Sequence, residues 1–160
     1  QEGSIVFSLI GIAMDVKAGL DISHPLPATD IQRLARYALW EIGGAPPWFE
    51  TLATAHPQDV ADAIWPEVEA EIPGLPLSGS SLFEERRMMA LDILANSPLP
   101  LKEALASRMR ETLDRASIQV GAPLRTVLQI LHSTGTIDSN YLADKVSPIL
   151  NSAAKEGNWG

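Results

Sequence analysis

The sequence predicts an all-α protein in which antiparallel helix hairpins stack side by side, about eight helices in a single domain. Three observations carry that expectation. Apolar residues recur every third or fourth position along most of the chain, which is the period of one helix face. Prolines, glycines and small polar residues fall where helices would start and stop. The phrase VADAIWP at 60–66 returns as LKEALAS at 101–107 and as LADKVSP at 142–148, a fixed interval of 41 residues. No segment reads convincingly as a strand.

Taken in order, Ile5 to Lys17 is apolar nearly all round and ends before Gly19, so a helix buried on every side is expected there. In TDIQ, Thr29 can cap and Gln32 can reach back, a capping box that opens the next helix. Its stripe is Ile31, Leu34, Ala35, Ala38 and Ile42, and Tyr37 and Trp40 stand off that stripe to imply a second packed face. Gly43 and Gly44 end it, and Pro46 and Pro47 begin a short helix through Ala55. Pro57 suits the first turn of a helix, on which Val60, Ile64, Val68 and Ile72 line one face. PGLPLSGS at 73–80 reads as a loop, and Ser81 with Glu84 as a second capping box whose helix ends near Asn96. Leu101, Leu105, Met109 and Leu113 line the helix after that. Gly121 breaks it, Pro123 starts another that runs to about Ser133, and Asp138 can cap the last.

The 41-residue register extends well beyond the opening phrase. Val60, Leu101 and Leu142 coincide, as do Ile64, Leu105 and Val146, then Val68, Met109 and Leu150, then Ile72, Leu113 and Ala154. The preceding helix keeps the same phase: Ile42, Phe83 and Leu124; Trp48, Met89 and Ile130; Phe49, Ala90 and Leu131. Pro66 and Pro148 are two registers apart, while Ser107 stands in the middle copy. The whole chain, 1–160, reads as one domain, with an N-terminal helix pair over 1–44 and three hairpins over 45–160. A hairpin of this length cannot bury its apolar stripe alone, so it stacks on copies of itself.

Units of this length, with apolar-x-acid-x-apolar and a proline in the second helix, resemble HEAT or armadillo-type α-solenoid repeats over roughly residues 42 to 155. The proline here sits in the second helix rather than the first, and no Asp-x-x-Arg turn repeats. RYALWEIGG (36–44) with PPWFETLATAHP (46–57) is also similar to helical arms attached to large bacterial signalling NTPases. The first resemblance implies a passive binding scaffold. The second implies a helical regulatory or sensor domain of a multidomain enzyme whose catalytic part lies outside this chain.

Composition narrows the field. Hydrophobic residues make up 46% and charged residues 20%, which suits a folded domain rather than a disordered one. No run is apolar for long enough to span a bilayer. The absence of cysteine rules out disulfides and fits a cytoplasmic setting. Gln1 at the start and the polar NSAAKEGNWG at the end suggest a piece of a longer polypeptide. The net charge of −8 is uneven: Tyr37 to Glu85 holds nine carboxylates and no Lys or Arg, whereas Arg86 to Arg125 holds seven basic residues against four acids.

No phosphate-binding glycine loop, nucleophile elbow or paired-histidine metal motif occurs. His24, His56 and His132 are scattered, the latter two at helix ends. Glu67, Glu69 and Glu71 alternate and so should spread around their helix, and Glu111 with Arg115 forms a favourable pair one turn apart. The expected function is a non-catalytic interaction scaffold without a cofactor or metal. Its partner is expected to be a protein or peptide, with nucleic acid disfavoured by the acidic balance and no membrane involved. The residues put forward for the interaction surface are Arg86, Arg87, Arg108, Arg110 and Arg115, with Glu67 and Glu71 from the acidic part. Trp40, Trp48, Trp65 and Trp159 are candidate interface anchors, with core packing between stacked helices the favoured role of the first three.

Overall fold

The computed structural model describes residues 21–41, 44–72, 89–115, 122–148 and 151, and every regular element among them is a helix. The expected helix over Ile5 to Lys17, the loop at 73–80 and the Ser81–Glu84 capping box lie outside the described residues.

Helix α1 is Ala28–Ala38. It begins one residue before the expected capping threonine, because the Pro27 carbonyl accepts from the amides of Asp30 (2.9 Å) and Ile31 (3.1 Å). Thr29 therefore lies inside the first turn, and no side chain caps the helix. The far end also differs from expectation. α1 stops at Ala38, Trp40 N–H closes a tight turn on the Tyr37 carbonyl at 3.0 Å, and Gly44 takes a left-handed φ of 98°. That sign of φ is open to glycine at little steric cost.

Helices α2 (Pro47–Ala55) and α3 (Pro57–Glu71) follow, each with proline in its first turn as the sequence predicts. His56 joins them at a corner, and its Nε2 donates to the His24 carbonyl at 3.0 Å, pinning the loop that leads into α1. Next come α4 (Met89–Ala95), α5 (Leu99–Arg115) and α6 (Ala122–Ser133). The last, α7, is Ser139–Tyr141, capped as expected by Asp138, whose Oδ1 accepts from the Tyr141 amide at 2.8 Å. It runs on through a π-turn, Leu142–Val146, in which Ser147 N–H reaches the Leu142 carbonyl. Pro148 follows immediately. Proline has no N–H and its ring crowds the carbonyl four residues back, and a widened turn is one way a helix absorbs that conflict.

α3 is the hub. It packs against α1, α2, α4 and α5, and Val60, Ile64, Val68 and Ile72 are fully buried along it. Ala61 and Ala63 are buried as well, so a second face is also enclosed. α1 brings Ala35 and Ala38 to the core, both without exposed surface, and small side chains let helix axes approach closely. On α5, Leu101, Leu105 and Met109 are fully buried and Leu113 nearly so. α6 closes over α4 and α5 with Leu124, Val127, Ile130 and Leu131.

Several apolar positions 41 residues apart are buried in both of the first two copies of the register: Val60 with Leu101, Ile64 with Leu105, Val68 with Met109, Ile72 with Leu113, and Phe49 with Ala90. Leu131 continues the last series, and Leu142 is partly buried against the same core. Met89 is the exception, half-buried where Trp48 and Ile130 are buried.

A fully buried aliphatic side chain contributes about 1.5–3 kcal/mol, and its truncation adds a cavity cost. Ile64→Ala should therefore lower the unfolding free energy by about 2–5 kcal/mol in urea titrations. Leu99→Ala, at a position 48% exposed, should change it by less than about 0.5 kcal/mol.

Candidate functional site

A cleft of about 1010 Å³ lies between the turn after α1, the start of α2, the last turns of α3 and the described part of α4. Its apolar lining includes Trp40, Pro46, Pro47, Phe49, Met89 and Ile93. Its charge comes from Glu41, Glu50, Glu67, Glu71 and Asp92, with no Lys, Arg or His among its described lining residues.

Helical geometry explains how α3 contributes. Glu67 and Glu71 are one turn apart and so share a face, and both line the cleft. Glu69, expected to be spread from both, points elsewhere and meets Arg115 at 3.9 Å. Trp40 does not pack in the core as expected but is 53% exposed at the cleft. The cause is the early end of α1: with the helix finished at Ala38, the following turn carries Trp40 off the packed face. Trp48 is buried at 5% exposure, Trp65 is partly buried against the core, and Trp159 lies outside the described residues.

Glu71 joins two helices across the cleft. Its Oε1 accepts from the Ala90 amide at 3.1 Å and its Oε2 from the Leu91 amide at 2.8 Å. This carboxylate of α3 thus satisfies two backbone donors of α4. Burial pushes the Glu71 carboxyl up to about 7; the two amides pull the other way, and Asp92 and Glu67 add to the rise. A carboxyl poised near neutrality is a familiar mark of acid–base sites. Here both oxygens hold backbone amides, so the geometry gives Glu71 the work of fastening α3 to α4.

The basic residues are placed differently. Arg108 Nη2 meets Asp62 Oδ1 at 2.5 Å, with its guanidinium 6.0 Å from the Trp65 ring centroid, so it ties α5 to α3. Arg110 donates to the Thr136 carbonyl at 3.2 Å and lies 5.0 Å over the Tyr141 ring, tying α5 to α7 and the loop before it. Arg115 donates from Nε to the Glu111 carbonyl at 3.3 Å and approaches Glu69. The expected carboxylate pair between Glu111 and Arg115 is thus replaced by a backbone contact and a cross-helix partner. Arg86 and Arg87 lie outside the described residues. The residues singled out as one surface therefore divide: Glu67 and Glu71 face the cleft, and Arg108, Arg110 and Arg115 brace the helices. Glu41, Glu50 and Asp92 also line the cleft although the sequence does not put them forward, and Trp40 stands exposed there rather than in the core. The signal available was the run from Tyr37 to Glu85 without a single Lys or Arg.

Among the described residues no three His, Asp or Glu side chains are grouped to hold a metal ion, and no helix is long and apolar enough to cross a membrane. Comparison with protein-family models, with characterised proteins and with solved structures finds no match.

The raised Glu71 carboxyl sets a pH dependence whose sign is fixed. The folded state holds its proton more tightly than the unfolded chain, so stability from this group is fully present below about pH 4.5 and is lost as pH rises towards 7. Glu71→Gln should flatten that decline in urea midpoints measured across this window, whereas Glu50→Gln should leave the slope unchanged. The Arg108–Asp62 pair is partly exposed, which limits its contribution. A double-mutant cycle with Arg108→Ala and Asp62→Ala should give a coupling of about 0.2–1 kcal/mol that shrinks in high salt.

Proposed function

We propose that this chain is a non-catalytic interaction scaffold, in which helix hairpins stack in the manner of a HEAT- or armadillo-like α-solenoid and receive a protein or peptide partner. Two features support the stacked reading. Core positions of the first two described hairpins are buried at the same phase, and the second helices of those hairpins, α3 and α5, pack directly on one another. A stack of this kind presents its binding surface along the faces of successive units.

The observation that carries the binding role is the cleft itself. Its walls come from two successive hairpins, and Trp40 stands exposed beside it. Large exposed aromatic side chains beside a concave apolar surface are frequent anchors of protein contacts. Panning a random peptide display library against the immobilised chain tests the role. An enriched sequence family whose binding is lost with Trp40→Ala supports it. Failure to enrich any family, or enrichment indifferent to Trp40→Ala, removes it.

A further inference from the structure

We infer that the cleft between α2, α3 and α4 docks a basic peptide segment of a partner protein, with arginine or lysine side chains meeting the acidic residues and an apolar residue seated against the apolar lining. This rests on the scaffold reading and adds the chemistry of the partner.

The groove is lined in part by apolar residues, among them Pro46, Pro47, Phe49, Met89 and Ile93, and by the exposed Trp40. Beside these residues stand Glu41, Glu50, Glu67 and Asp92, whose carboxylates have no hydrogen-bond or ion-pair partner among the described residues. Glu71 is separate, since both of its oxygens are held by amides. Four like charges beside one apolar surface repel one another, and a cationic segment relieves that repulsion while covering the apolar lining. The chain does not direct its described α5 arginines there: Arg108 answers Asp62, Arg115 approaches Glu69, and Arg110 lies over Tyr141. Trp40 adds a second means of recognition, because an arginine guanidinium stacks on an indole face. Charge and apolar surface together select a peptide over a metal ion, for which no three-ligand group exists among the described residues. The same charge repels nucleic acid.

The test uses the whole chain and a fluorescein-labelled peptide of alternating arginine and leucine, read by anisotropy. Control probes are the same peptide with glutamate for arginine, and spermine as a competitor. Saturable binding of the arginine peptide is expected, weakening about tenfold between roughly 50 and 300 mM salt, with no binding of the glutamate peptide. The Glu41→Gln, Glu50→Gln double variant should weaken it further at low salt, and Trp40→Ala should weaken it about 2–5-fold with the salt dependence retained. Far-UV circular dichroism of each variant confirms that the helices remain.

Several outcomes overturn the inference: equal binding of both peptides, no saturable binding at about millimolar protein, affinity unchanged in the folded charge variants, or full displacement by spermine at the concentration of the peptide. If the display library instead returns acidic or neutral ligands that depend on Trp40, the scaffold reading survives and the basic partner does not.

Discussion

One apolar row governs the structure. Val60, Ile64, Val68 and Ile72 lie along α3 with no exposed surface, and four other helices rest on that element. A helix apolar on one stripe can lean on a single neighbour. α3 also buries Ala61 and Ala63, so it is surrounded, and the arrangement of α1, α2, α4 and α5 is set by what can be packed around it. Packing at organic-crystal density leaves little slack for that arrangement. The alanines of α1 let it sit close, while α5 contributes the longer buried side chains Leu101, Leu105 and Met109.

The cleft follows from that packing together with two local backbone events. α1 stops at Ala38, so the chain reaches α2 through a turn that carries Trp40 and Glu41 outward. α3 ends by gripping the first described amides of α4 through Glu71. The cost is a buried carboxyl crowded by Glu67 and Asp92, which is why its proton is held to about neutrality. What the fold gains is two satisfied backbone donors at a helix junction. The same contact brings the acidic end of α3 beside Asp92 and so assembles much of the cleft's charge.

The charged residues fall into two populations with different work. On α5, Arg108, Arg110 and Arg115 each reach a neighbouring element or the local backbone, and two of them also lie over aromatic rings. These contacts are partly exposed and individually modest, but they brace α5 against α3 and α7. The carboxylates around the cleft have no such internal partners among the described residues. The segregation is written into the sequence, where no basic residue stands between Tyr37 and Glu85.

Much of this was legible from residue order alone, because it depends on short-range rules. The helical class, the proline-marked starts of α2 and α3, the buried rows of α3 and α5, and the Asp138 cap all follow from local periodicity and backbone chemistry. The capping box at Thr29 failed although it is equally local, because Pro27 offered an earlier start. Which side Trp40 would face, that Glu67 and Glu71 would meet Asp92, and that Arg115 would turn to Glu69 were decided only in three dimensions. Each depends on residues distant in sequence arriving at one place, and periodicity fixes the face a residue occupies on its own helix but not what that face will meet.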